Sequence, residues 1–231
     1  MEPDQMAQRA EELVTDGFSA LKIKVGKDLN SDFERVRRVR EVVGDNVSIR
    51  VDANNHYLPK EAIMFINKIE HFNIEHVEQP ISRFDIIGMN EIRGSVNVPL
   101  MTDDMVATPL DAMNVIRLSA ADRVKVKVTK HGLDGASQIV GMLTAAGKSA
   151  VLGHVFETGL AAVAEAHLAL LFQTIVAPHE IGSMEPLGVA DKILMEDPYC
   201  NPGFITIPKG LGLGVNINWE QVEKYRVNGL I

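Results

Sequence analysis

The chain has 231 residues, 46% of them hydrophobic, and a formal net charge of −8 at pH 7, which suits a globular protein with a full core. The negative charge argues against a nucleic-acid surface, because such a surface needs clustered lysine and arginine. Cys200 is the only cysteine, so no disulfide forms within the chain, and no apolar run reaches the length of about 18 residues that a membrane span needs. We therefore expect a cytoplasmic protein with no nucleic-acid and no membrane partner.

Helical and strand-like segments alternate along the whole chain, as hydrophobic spacing and turn residues indicate. In chain order, the pattern predicts a helix over 4–16, a strand over 21–25, a helix over 32–43, a strand over 47–53, a helix over 59–69, a strand over 74–78, a helix over 86–93, a strand over 98–102, a helix over 109–118, a strand over 124–128, a helix over 133–146, a strand over 150–155, a helix over 161–172 and a strand over 175–177, followed by short extended pieces over 204–208 and 210–214.

This alternation predicts an α/β fold with a parallel sheet, of the TIM-type (β/α) barrel. The predicted strands number seven, whereas a closed barrel of this type needs eight. The chain also opens on a helix. We therefore expect residues 1–231 to form one (β/α) barrel catalytic domain that is incomplete at its N-terminus and lacks the first strand.

Charged residues stand at the C-terminal ends of the predicted strands, at intervals of roughly 25 residues, about one strand plus one helix. Three are carboxylates, Asp52, Glu78 and Asp103, and the series is flanked by Lys24 and Lys127. Barrel enzymes keep their chemistry at this end of the strands. Three hard oxygen ligands suit Mg²⁺, with Mn²⁺ as the alternative. Such an ion can hold the charge that appears when a proton leaves the carbon beside a carboxylate.

The lysines supply groups for proton transfer. Lys22 and Lys24 point to the same side of one strand, and a neighbouring cation makes a lysine a better base at neutral pH. Lys127 lies across the predicted barrel mouth. Two lysines on opposite faces of one carbon could remove a proton from one side and return it from the other.

Other charged residues near this series are interpreted as structural or surface charges and not as part of the site. Asp104, Asp122 and Glu180 are typical of helix caps or surface charges. Lys125 and Lys130 are typical of charges on the barrel exterior or in loops. The sequence therefore leaves all of them outside the predicted site.

At the strand ends the chain resembles the enolase superfamily, and within it the muconate-lactonizing subgroup of the mandelate racemase/muconate lactonizing enzyme family. The matching stretches are Leu21-Lys-Ile-Lys-Val-Gly26, Val51-Asp-Ala-Asn54, Val77-Glu-Gln-Pro80, Met101-Thr-Asp-Asp104, Val126-Lys-Val-Thr-Lys130 with Gly132, and Pro208-Lys-Gly-Leu-Gly-Leu-Gly214. The resemblance implies that Asp52, Glu78 and Asp103 bind Mg²⁺. It also implies that Lys24 and Lys127 are an acid/base pair acting through an enediolate.

The resemblance implies further contacts with a small-molecule carboxylate substrate. Lys22 supports the basic lysine and contacts the substrate carboxylate, Asn54 lies beside the metal ligands, and Glu157 helps to bind the carboxylate end. His154 is expected to pack or to contact substrate, because a related subgroup pairs a histidine base at this place with an aspartate where this chain has Lys127.

Three hypotheses for the function remain at this point. The first is an isomerase, with a racemase or epimerase ahead of a muconate-type cycloisomerase because both lysines are retained. The resembling family carries a capping domain before the barrel, so we expect a homo-oligomer or a companion chain to supply the cap. The second is a non-catalytic barrel remnant that serves as an assembly or binding module. The third is a phosphate-binding barrel with loops at Gly132, or at Gly153 with His154, which is weaker because no glycine-rich loop opens a helix near the last strands.

Overall fold

The structure is a computed structural model that describes residues 1–155, 157–181, 193–196 and 204–226. Its helices and strands are α1 Pro3–Thr15, β1 Ala20–Lys24, α2 Leu29–Val43, β2 Ser48–Asp52, α3 Pro59–Ile69, β3 Ile74–Glu78, α4 Ile86–Arg93, β4 Leu100–Thr102, α5 Pro109–Arg117, β5 Arg123–Val126, α6 Val128–Ala145, β6 Ser149–Leu152, α7 Gly159–Leu171 and α8 Trp219–Tyr225. None of these helices is long and apolar enough to span a membrane.

The six strands form one parallel sheet in which the spatial order β1 to β6 follows the sequence. The sheet curls into a half-barrel. A helix joins each strand to the next, as parallel neighbours require, because the chain must return to the starting end of the sheet. The prediction of a barrel-type α/β fold is confirmed.

The predicted strand over 175–177 is reduced to a single parallel bridge between Ala150 and Ile175. The N–H of Val176 still donates to the Ala150 carbonyl at 2.9 Å. Pro178 follows two residues later and has no N–H to donate, so it interrupts the ladder. The Glu180 N–H then donates to the Leu152 carbonyl at 3.0 Å.

Two further boundaries differ from the prediction. The predicted helix over 133–146 is preceded by an additional helical turn, and the two are joined at Gly132, whose φ of 65° breaks the helix geometry. Glycine adopts this left-handed conformation without a steric penalty. The fourth strand begins at Leu100, and Pro99 before it accepts a hydrogen bond from Val77 but cannot donate one.

Alternation along the strands decides what faces the barrel interior. On β2, the fully buried Ile49 and Val51 belong to the hydrophobic core. Arg50 and Asp52 alternate with them and point to the opposite side. The core therefore lies between sheet and helices, and the barrel interior receives the charged side chains.

Candidate active site

The sheet register brings the predicted site residues to one end of the half-barrel. Lys24 lies opposite Asp52 in the β1–β2 pair, and Asp52 lies opposite Glu78 in the β2–β3 pair. Asp103 follows β4 directly, and Lys127 follows β5 directly. All five residues stand at the same end of the sheet because parallel strands share one direction.

Lysines and an asparagine surround the Asp52 carboxylate, which is buried. The Lys24 ammonium lies 2.6 Å from Asp52 Oδ2 and donates to Asn54 Oδ1 at 2.7 Å. The Asn54 N–H donates to Asp52 Oδ1 at 2.9 Å, and this residue has a left-handed φ of 44°. Lys22 Nζ lies 3.5 Å from Asp52 Oδ2. These contacts place Lys22, Lys24 and Asn54 around the first predicted metal ligand.

The Asp103 carboxylate is held by two lysines on the opposite side of the site. Lys127 Nζ donates to Asp103 Oδ2 at 2.6 Å, and Lys130 Nζ donates to Oδ1 at 3.0 Å and to the backbone carbonyl at 2.7 Å. Burial opposes ionisation of this carboxyl, but the charges of Lys130 and Lys127 outweigh burial and hold the pKa of Asp103 below its ordinary value. The interpretation of Lys130 as a loop charge is corrected by these contacts.

Lys125 is also part of this site, contrary to its predicted place on the barrel exterior. It is fully buried, and its ammonium donates to Glu78 Oε2 at 2.7 Å. The reason is the alternation of side chains on a strand, which turns Lys125 to the same interior side as Lys127, two residues further on.

Glu78 is the most deeply buried predicted metal ligand. Burial, helped by the nearby charges of Asp52 and Glu180, raises its pKa to about 7 against the opposing charges of Lys125 and Lys22. Its Oε1 atom has no hydrogen-bond partner in the part of the chain that the structure describes. One oxygen of Glu78 is therefore available to a cation.

Glu180 belongs to the same charged interior, so its interpretation as a helix cap or surface charge is wrong. Its Oε2 accepts hydrogen bonds from both Lys22 and Lys125, and Oε1 lies 3.4 Å from Arg50 Nη1. Burial opposes ionisation, but Lys125 and Lys22 lower the pKa of Glu180 to about 2. The only sequence signal for Glu180 was its position just after the strand predicted over 175–177.

Gly153 provides space for two lysine stems. A Cβ atom at this position would lie 2.6 Å from Lys125 Cγ and 2.9 Å from Lys127 Cε, distances that a real Cβ does not tolerate. This glycine follows β6 and faces the lysines of the neighbouring β5. Its position favours a role in lysine packing over the phosphate loop considered from the sequence.

His154 and Glu157 lie together in the loop between β6 and α7. Glu157 Oε2 lies 2.6 Å from His154 Nδ1 and accepts the Val155 N–H at 2.6 Å. Oε1 accepts the Thr129 hydroxyl at 2.8 Å. Burial opposes ionisation, but these hydrogen bonds lower the pKa of Glu157 to about 2. The contact with Thr129 ties the loop to the start of α6, and the predicted substrate contacts of His154 and Glu157 stay predictions.

The donor chemistry of the site fits Mg²⁺. Asp52, Glu78 and Asp103 offer only hard oxygen atoms, which Mg²⁺ prefers, and Glu78 Oε1 is buried without a partner among the described residues. A second group, His76, Glu78 and Glu180, has ligand atoms within 4.8 Å of one another in the described chain. We favour the first set for Mg²⁺, because its donors are all carboxylate oxygens, whereas the second set includes the imidazole of His76, a ligand that suits softer metals.

Known proteins resemble this chain in sequence over most of its length. The family described as "Enolase C-terminal domain-like" matches residues 5–222. The L-Ala-D/L-Glu epimerase of Bacillus subtilis is 39% identical over 171 residues, which are 72% of this chain and 47% of that protein. Other curated relatives are named as a racemase and a muconate cycloisomerase.

Solved structures of related proteins have the same fold as this chain. The dipeptide epimerase from Cytophaga hutchinsonii, complexed with Mg and the dipeptide D-Ala-L-Val, superimposes with a TM-score of 0.87 at 30% identity, over 97% of this chain and 61% of that chain. The substrate-liganded L-Ala-D/L-Glu epimerase from Bacillus subtilis also gives a TM-score of 0.87, at 34% identity, over 93% of this chain and 60% of that chain. The chain thus spans about half to three fifths of the length of these relatives.

Proposed function

Because the chain belongs to the enolase C-terminal domain-like family, we propose that it carries the catalytic face of an isomerase that removes the proton beside a substrate carboxylate and delivers a proton to the opposite face of the same carbon. The observation that supports this most directly is the pair Lys24 and Lys127, which contact carboxylates at opposite sides of the site. We propose a dipeptide or an N-acylated amino acid as the substrate class, since relatives with these substrates in their names match most of the chain.

We propose that Asp52, Glu78 and Asp103 would hold Mg²⁺. When bound, Mg²⁺ would supply positive charge that stabilises the anion developing on the substrate carboxylate. The lysines that now contact these carboxylates must then turn toward the substrate. Lys24 is free to do so, because its side chain is 56% exposed.

The proposed steps use the two lysines in turn. The neutral Nζ of one lysine accepts the proton next to the carboxylate, which leaves an enediolate. The ammonium of the other lysine donates a proton to the opposite face of the same carbon. In one reaction direction Lys24 is the base and Lys127 the acid, and in the other direction the roles are exchanged. Lys22 holds the substrate carboxylate by its positive charge.

A muconate-type cycloisomerisation is the second candidate, favoured by the muconate cycloisomerase of Acinetobacter lwoffii, 28% identical over 215 residues. It differs from epimerisation in its product, a lactone. Retention of both lysines supports the epimerase, because return of the proton to the opposite face needs a donor there.

The test is proton exchange of dipeptides, N-acyl amino acids and muconates in D₂O with Mg²⁺, followed by NMR. Epimerisation exchanges the proton next to the carboxylate and inverts that centre. Lys24→Met and Lys127→Met should each block exchange from one stereoisomer and leave some exchange from the other. Lys60→Met, at an exposed position of α3, is the matched control. A Mg²⁺-binding chain that exchanges no substrate would contradict the proposal and favour the assembly or binding module.

A further inference from the structure

Lys125 is a buried cation that the proposed reaction does not use. Its side chain has no exposed surface. It donates to Glu78 Oε2 at 2.7 Å and also to Glu180 Oε2. Burial disfavours the charged form and lowers the pKa of Lys125, whereas its two carboxylate partners within hydrogen-bond distance oppose this shift and favour the ammonium. The Lys125 ammonium stands in direct contact with a proposed metal ligand.

This cation is more confined than Lys22 and Lys24, the two lysines of β1. The stem of Lys125 lies against the backbone of Gly153, where even a Cβ atom would come within 2.6 Å of Lys125 Cγ. Lys24 is 56% exposed and Lys22 25% exposed, so these two can turn toward a substrate. Lys125 has no such freedom, and its ammonium stays beside Glu78 when a metal ion arrives.

The contact also gives the two carboxylate oxygens of Glu78 different hydrogen-bond partners. Oε2 accepts from Lys125 at 2.7 Å and from Lys22 at 3.3 Å. Oε1 is buried and has no partner among the described residues. A cation that reaches Glu78 is therefore directed to Oε1 and meets a like charge on the other side of the carboxylate.

We propose that Lys125 sets the Mg²⁺ affinity of this site: it holds Glu78 so that only Oε1 faces the metal, and its fixed charge weakens metal binding. This inference rests on the proposed metal site. A fixed like charge within a few ångströms of a divalent ion weakens binding by about tenfold or more, even with strong solvent screening.

The experiment is isothermal titration of the chain with MgCl₂ at pH 8.5, repeated by electron paramagnetic resonance with Mn²⁺ as the probe. Lys125→Met removes the charge and keeps an unbranched stem. It should bind Mg²⁺ about tenfold or more tightly than the unsubstituted chain. Lys148→Met is the matched control, because Lys148 precedes β6 at the other end of the sheet and donates to the Ala121 carbonyl. Its affinity should not change.

A second comparison covers the case in which Lys125→Met does not fold, since that change leaves Glu180 short of a partner. The double variant Lys125→Met/Glu180→Gln is compared with Glu180→Gln alone, and the double variant should again bind the metal more tightly. Equal or weaker binding in a folded variant without Lys125 would overturn the inference. Absence of Mg²⁺ binding in the unsubstituted chain would instead overturn the metal site of the proposed function, and the inference with it.

Discussion

Replacing Gly153 by alanine tests how the proposed lysine pair is positioned. The new Cβ would lie 2.6 Å from Lys125 Cγ and 2.9 Å from Lys127 Cε. Lys125 is fully buried, so its stem cannot move into solvent, and the backbone or both lysines must shift. Overpacking of this kind costs about 1–3 kcal/mol of stability. A displacement of about 1 Å at a reacting group lowers the rate by about 100-fold.

Gly141→Ala is the matched control. Gly141 lies in α6, and nothing stands within 4 Å of the position that its Cβ would take. Alanine at an exposed helical position stabilises by up to about 1 kcal/mol relative to glycine. The free energy of unfolding, measured with urea, should therefore fall for Gly153→Ala and stay equal or rise for Gly141→Ala.

The second measurement is proton exchange of the substrate in D₂O. We expect the rate of substrate proton exchange to be about 100-fold lower for Gly153→Ala, even at a temperature where this variant is fully folded. The rate for Gly141→Ala should not change. Unchanged stability together with unchanged exchange in Gly153→Ala would refute the packing argument. Unchanged exchange with lower stability would show that Lys127 can shift without consequence for the chemistry.

Three further outcomes follow from buried charges. Burial raises the pKa of Glu165 to about 8 in the folded chain, so the unfolded chain loses this proton at lower pH and the stability of the fold decreases as pH rises from about 4.5 to about 8. The free energy of unfolding in urea should therefore be higher for Glu165→Gln than for the parent at pH 8, and equal for the two at pH 4. Asp32→Asn should lower stability by about 3–5 kcal/mol, because it leaves the buried Arg35 without its carboxylate partner, and equal stability would contradict this. Excess Mg²⁺ should raise the melting temperature, and EDTA should reverse the rise; Glu78→Gln should abolish the response, and a response that survives would place the metal elsewhere.

The positions of the proposed ligands could be predicted because they depend on local information. Asp52, Glu78 and Asp103 each follow an apolar run of strand length, and parallel strands place such ends side by side. The order of the strands in the sheet follows the order of the βα units. These features need only the alternation of segments, which the sequence shows directly.

The partners of Lys125 and Glu180 could not be predicted in this way. Lys125 contacts Glu78 across 47 positions and Glu180 across 55 positions of sequence. Such pairs depend on how far the sheet curls and on where the segment that follows α7 crosses the barrel interior. The helix-cap or surface interpretation is reasonable for a single charge, but it fails when several strands point their charges into one enclosed space.

The outer edge of β1 has a consequence for the proton chemistry. In the described part of the chain, no strand pairs with this edge of the sheet. An unpaired edge strand offers a row of backbone donors and acceptors to any extended segment that approaches it. Lys22 and Lys24 are both on this strand, so whatever pairs with β1 also fixes the backbone that carries the proposed base. The position of the proposed base therefore depends on the backbone geometry of β1.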